Sequence, residues 1–296
     1  MFAMSIGMAY TRHNTPKEFI IRRIKLLILG FIVNTMYFLS NYGAGVPLEY
    51  SLLSFLANDI LQFAGLSFIL IGIFKRYNVR IKIFAISVGF SLVATYFSDF
   101  TFSNMYLNQL LGNLIETHGQ NIVSCFPILN WFIVPVCGML LGENLIRCND
   151  KDELYSRIIR PTHVLTIVLI IVGFITLEGM FSVTGGTVPE KLEYLHASLP
   201  DIVILIIVTL FIASFFYFLA KRLSPGVIDF VKKISINVTV IYLIQWALIL
   251  FLTYINQFLK IETNLAIALS VLILIIIASI LLSDVYVKIK KKIVKN

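Results

Sequence analysis

The sequence predicts an all-α, polytopic helical membrane protein, and three observations carry that prediction. The chain of 296 residues is 58% hydrophobic and only 14% charged, with a mean hydropathy of +0.90. So few charges cannot clothe that much apolar side chain in water. The apolar residues come in long runs divided by short polar loops, and about 20 helical residues cross a ~30 Å hydrocarbon core. Runs such as residues 269–282 do not alternate apolar and polar positions, as a transmembrane β-strand of ~10 residues would.

The elements follow in order. MFAMSIGMAY, residues 1–10, is apolar, but a helix of that length rises only ~15 Å, about half a bilayer. Basic residues come after it, the reverse of a signal peptide. Either it lies shallowly at the membrane surface or, the favoured expectation, it is an N-terminal half-helix whose earlier part is missing from the chain. Eight full transmembrane helices are expected after it, at 26–42, 55–74, 83–98, 125–146, 164–183, 200–220, 236–256 and 264–283. No linker rich in Pro, Gly or Ser divides them, so residues 1–296 read as a single domain, N-terminally truncated. No internal repeat is visible, which disfavours the many transporter folds built on repeats.

Charge sets the expected orientation. Segments 11–25, 75–82, 147–163, 221–235 and 284–296 alternate on one side and hold 22 of the 24 Lys and Arg. By the positive-inside rule that side, with the C-terminus, is cytoplasmic, as in a bacterial cytoplasmic membrane. The net charge of +8 then reflects topology, and no continuous basic face points to nucleic acid. The tail VYVKIKKKIVKN reads as a juxtamembrane anchor to anionic lipid. Between spans, NMYLNQLLGNLIETHG gathers Leu107, Leu110, Leu111, Leu114 and Ile115 on one helical face, with Asn108, Asn113, Glu116 and His118 away from it. That pattern predicts an amphipathic helix lying on the outer interface or capping a cavity.

Several polar residues interrupt the spans. Asn58, Asp59 and Gln62 stand in the outer half of the 55–74 span at helical spacing. A carboxylate there faces the bundle interior or a polar cavity, because facing lipid costs several kcal/mol. Interhelical hydrogen bonding is the bland alternative. In 126–147, Gly138 and Gly142 permit close helix approach, and Pro135 is expected to kink the span. Asn130 and Trp131 lie near its outer end, where Trp131 also suits an aromatic belt. Glu143, at the other end, is expected to pair with a basic residue of the cytoplasmic loop. Gln245 sits near mid-membrane beside Trp246 and needs a partner there. Cys125, Cys137 and Cys148 lack ligand spacing, so neither a disulfide nor a metal site is expected. Of the four histidines, His13 and His163 are flanked by basic residues, and His118 and His196 lie in outer loops. No GxSxG, HExxH, Walker or GxGxxG pattern occurs.

Taken together, these stretches resemble a known family. MFAMSIGMAYTRHNTPKEFIIRRIKLLILGFIVN resembles the second helix, basic loop and third helix of the membrane acyltransferase superfamily, which includes the acyltransferase-3 and heparan-α-glucosaminide N-acetyltransferase-like proteins. ANDILQFAGLSFILIGIFKR looks like their DILQ-x-x-GL helix, and NMYLNQLLG, FPILNWFIVPVCGMLLGENLIRCNDKDELY, LEYLHASLPDIV and NVTVIYLIQW resemble later blocks. The resemblance implies an integral membrane enzyme that moves an acyl group, commonly acetyl from acetyl-CoA, to a sugar or another hydroxyl or amine. It implies a key histidine at or just after the first helix, a position that no residue of this sequence matches. His196 is left as the candidate catalytic helper. On this reading Asn58, Asp59, Gln62, Asn108, Asn130, Trp131 and Gln245 bind the acceptor. Arg22, Arg23 and Lys75 attract the phosphates of CoA, though topology alone also accounts for those cations. Partners are the bilayer and a glycan or small-molecule acceptor. The rival readings are a transporter or flippase for a polar or lipid-linked sugar, and an inactive truncated membrane partner.

Overall fold

A computed structural model describes residues 16–76, 82–115, 125–175, 199–259 and 264–295. The expected half-helix at 1–10, with His13, His118 and His196, lies outside the described residues. Those described are helical, with no strand among them. The helices are α1 (Pro16–Gly43), α2 (Leu48–Leu56), α3 (Ile60–Arg76), α4 (Lys82–Tyr96), α5 (Met105–Leu114), α6 (Ile128–Trp131), α7 (Ile133–Arg147), α8 (Lys151–Ile175), α9 (Leu199–Ala220), α10 (Pro225–Leu259) and α11 (Leu265–Lys295).

Five helical stretches are long and apolar enough to cross a membrane: Arg23–Gly43, Ile128–Arg147, Leu199–Ala220, Pro225–Asn256 and Leu265–Lys290. A sixth is a bent pair, Leu48–Leu56 with Ile60–Phe74. These six match six of the eight expected spans. The expected span at 83–98 is the shorter apolar helix α4. The one at 164–183 is covered only through Ile175, in α8. The chain is thus an integral membrane protein, and its described residues are helical without a strand among them.

The chain falls into two compact units, Met1–Phe31 with Leu56–Leu219, and Ile32–Phe55 with Ala220–Asn296. In the first, α3, α4 and α7 enclose a core of Ala64, Phe68, Ile71, Ile83, Phe132, Val136 and Met139. A second cluster joins Phe63, Ile128, Trp131, Ile133, Val134 and Leu141 to Ile202 of α9. Between α6 and α7 only Phe132 intervenes, and it keeps helical dihedrals (φ −59°, ψ −27°), so Ile128–Arg147 runs as one 20-residue span. Pro135 has no N–H to give the carbonyl of Trp131, four residues back, so the ladder is interrupted there. Gly138 and Gly142 are buried. Glu143 pairs with Arg147 one turn on in its own helix, at 3.8 Å.

The second unit holds the end of α1, most of α2, and the pair α10–α11, which pack together. Gly45 ends α1 with φ +84°, the left-handed region that favours glycine. Val46 N–H reaches back to Asn41 O at 3.1 Å, so the turn closes as a Schellman cap followed by Pro47. Asn41 Nδ2 donates to Ser54 Oγ at 2.7 Å, and Asn34 Nδ2 to Phe55 O at 2.9 Å. These bonds tie α2 to α1.

Candidate functional site

The 55–74 span is not one helix. It breaks at residues 57–59, between α2 and α3, which corrects the helical spacing expected for Asn58 and Gln62. The reason lies in the side chains. Asp59 Oδ1 accepts from Ile60 N–H at 2.7 Å, and Asp59 O accepts the first helical bond from Phe63 N–H at 2.9 Å. Asp59 therefore stands at the N-cap position of α3, its side chain holding the first helical N–H rather than the second or third. A three-residue break inside an apolar span leaves backbone groups that lipid cannot satisfy, and other side chains satisfy them here.

Asn113 of α5 does most of that. Its Nδ2 donates to Leu56 O at 2.7 Å and its Oδ1 accepts from Asn58 N–H at 3.0 Å. The same oxygen accepts from Gln109 Nε2 at 3.2 Å. Asn58 O accepts from Cys125 N–H and Phe126 N–H at 3.1 and 3.2 Å, and Asn58 Nδ2 donates to Phe126 O.

Helix α5 is amphipathic as expected, with most of its leucine face outward, although Ile115 of the expected apolar face is buried. Leu107, Leu110 and Leu114 are exposed, while Asn108, Gln109 and Gly112 are buried. Asn104 caps its first turn by accepting from Tyr106 N–H and Leu107 N–H. Asn108 Oδ1 accepts from Phe102 N–H at 3.1 Å. Asn130 of α6, against which α5 packs, is fully buried. The result is a centre of carboxamides inside the first unit, with one carboxylate, Asp59, at its edge.

Two of these amides keep unspent hydrogen-bonding capacity. Asn58 Oδ1 and both Oε1 and Nε2 of Gln62 are buried without a hydrogen-bond partner among the described residues. Asp59 and Gln62 have the D-x-x-Q spacing of a capping box, yet Gln62 does not close it. Its side chain lies instead over Gly30 of α1, where an added Cβ would come within 2.6 Å of Gln62 Cδ. Leaving a buried amide unmade costs on the order of 1–3 kcal/mol per group. Such capacity suits a polar ligand that donates to Oδ1 and Oε1 and accepts from Nε2.

The other expected site residues are placed as follows. Trp131 is buried, edge-on to Phe126 with ring centroids 5.1 Å apart, in the cluster with Phe63. Gln245 is half-buried in α10 of the second unit, beside Trp246, which packs on Tyr37 and Tyr242. Arg23 holds its guanidinium carbon 4.0 Å from the centroid of the buried Phe68, an arrangement that attracts a cation to a ring face. Arg22 and Lys75 are helical positions in α1 and α3, and their side chains lie outside what is described. His163 is exposed on α8, its ring 5.2 Å from Phe211. Gln109, Asn113 and Gly30 were not singled out as site residues from the sequence. The amide triplet within leucine-rich MYLNQLLGNL was the available signal, since a membrane helix buries its polar face when lipid covers the other.

A family model described as "Heparan-alpha-glucosaminide N-acetyltransferase, catalytic" matches residues 1–178. The match takes in α1 to α8 and the whole amide centre. No curated protein and no solved structure matches the chain.

Proposed function

We propose that this chain, which belongs to the heparan-alpha-glucosaminide N-acetyltransferase catalytic family, is a membrane acyltransferase that takes an acyl group, acetyl above all, from acyl-CoA. The acceptor is an amine or hydroxyl of a sugar. The family match over residues 1–178 carries this reading, and the amide centre within the matched region is our choice for the acceptor site.

In acyl transfer the acceptor nitrogen or oxygen attacks the thioester carbonyl carbon, the C–S bond breaks, and the acceptor's proton passes to a base. On this reading Asn58 Oδ1 and Gln62 Oε1 accept from the acceptor's N–H or O–H groups. Gln62 Nε2 donates to an acceptor hydroxyl or to the oxyanion forming on the carbonyl. Asp59 sits at the edge of the centre to offset a protonated amine. Asn108, Gln109, Asn113 and Asn130 hold the break rigid. Trp131 with Phe126 forms an apolar wall of the kind sugar rings stack on. His196 and the cations Arg22, Arg23 and Lys75 keep the roles expected from the sequence: proton transfer and attraction of CoA phosphates on a cytoplasmic face; Gln245, in the second unit, is not included in this acceptor site.

The test is transfer of labelled acetyl from acetyl-CoA to amino sugars by the purified protein in lipid, with CoA binding measured beside it. Turnover with binding supports the reading. Neither turnover nor binding overturns it. The break in the α2–α3 span favours a second reading, a carrier for a polar sugar, because discontinuous helices commonly line substrate paths. Sugar flux into vesicles without acyl-CoA, abolished by Asp59→Ala, would select that reading; absence of flux would remove it.

A further inference from the structure

We infer that the basic ends of α10 and α11 form one two-helix site for the phosphate headgroups of anionic lipid. Both helices are too long for the membrane alone. Their 35 and 31 residues span ~52 and ~46 Å at ~1.5 Å per residue, against a hydrocarbon core of ~30 Å. The excess falls at their charged ends. In α11 the apolar stretch runs from Leu265 to Ser283, and Asp284 is the first charge after it. In α10 the charges Asp229, Lys232 and Lys233 precede an uncharged stretch that runs to its end.

The two ends are held side by side. Lys233 Nζ forms an ion pair with Asp284 Oδ2, joining the start of α10 to the end of α11. That pair neutralises the one carboxylate of the α11 extension. Asp229 is met by Lys232 at 3.6 Å. Lys288, Lys290 and Lys292 are exposed beyond Asp284, with Lys291 and Lys295 at neighbouring register positions, and Arg222 is exposed just before α10. Positive charge therefore outweighs negative at this end.

Apolar side chains are exposed among these cations. Val227, Phe230 and Val231 on α10, and Val285, Tyr286 and Ile289 on α11, are each 44–54% exposed. Cations mixed with exposed aliphatic and aromatic groups at the end of a membrane helix suit the headgroup layer, where apolar groups dip inward and ammonium groups meet phosphate. The charge is complementary to a lipid phosphate, and the helices deliver it at headgroup depth.

The experiment uses the full chain in phosphatidylcholine nanodiscs carrying a trace of spin-labelled phosphatidylglycerol or spin-labelled phosphatidylcholine. Lysines at headgroup depth attract anionic lipid electrostatically, and salt screens that attraction. The expected result is a preference of several-fold for phosphatidylglycerol that falls as salt rises. Lys288→Gln, Lys290→Gln and Lys292→Gln together bring it close to unity, and Arg222→Gln with Lys232→Gln lowers it in part. Neutralising Arg157 and Arg160 on α8 leaves it unchanged. No preference in the parent protein overturns the inference. So does a preference that survives the α11 substitutions, or one lost equally on neutralising α8. Loss of the label to inorganic phosphate at matched ionic strength also overturns it, because the site would then bind free phosphate.

Discussion

The α6–α7 span and α10 are both apolar enough to cross a membrane, yet they are built for opposite surroundings. In the most apolar stretch of Ile128–Arg147, 67% of residues are buried; in that of Pro225–Asn256 none is. The buried span carries Asn130, Pro135, Gly138 and Gly142. The exposed one is dense with Ile, Leu, Val and Phe. Within a bilayer hydrophobicity does not choose the inside, because lipid is as apolar as leucine. Small and polar residues choose it, by allowing close approach and by needing partners. The amide centre beside α6 extends the same rule: α5 buries its amides and turns its leucines outward.

The strongest way to break this contrast is Asn113→Leu. It strands Leu56 O and Asn58 N–H at the α2–α3 break and removes a partner of Gln109. At on the order of 1–3 kcal/mol for each buried group left unmade, about 3 kcal/mol of stability is lost, read as a fall in thermal unfolding midpoint in detergent. Gly65→Val comes next. A Cβ at Gly65 meets Leu27 N and Cβ at 3.1 Å, so the larger side chain costs about 1–3 kcal/mol. Gly226→Ala in α10, with nothing within 4 Å of the added atom, is neutral or stabilising by the same assay.

Gln62→Met sharpens the contrast in the other direction. It removes an amide with no partner among the described residues and keeps its volume, so stability holds or rises by about 1 kcal/mol. The smallest effect belongs to the lipid-facing helices. Phe251→Ala, at a position 60% exposed, shifts stability by no more than about 0.5 kcal/mol. A larger loss there would show that α10 buries this face against something.

How much of this was legible in the sequence follows from the same physics. Long uncharged runs located the helices, because length and apolarity alone decide whether a segment can span. The break at 57–59 was not legible: Asn58 and Asp59 fit helical spacing as well as they fit a cap, and the choice depends on Asn113, 55 residues from Asn58. Asn58, Asn108 and Asn130 stood out as polar residues in apolar surroundings. Gly30 did not, because its role is to make room for Gln62, and a glycine in a membrane helix signals close approach without naming what approaches. The amphipathic face of α5 was legible, but which of its amides meet the α2–α3 break was not, because Asn113 bonds to residues 55 and 57 positions away.

The central claim is that Gln62 and the Asn58 carboxamide oxygen, which keep unspent hydrogen-bonding capacity in the broken span, bind the acyl acceptor. The most direct measurement is acetyl transfer from acetyl-CoA to an amino sugar by the parent protein and by Gln62→Met, each in lipid and corrected for the folded fraction. A loss of turnover of about tenfold or more, at equal or higher stability, is the predicted result. Full turnover by Gln62→Met would contradict it and move the acceptor site elsewhere in the chain.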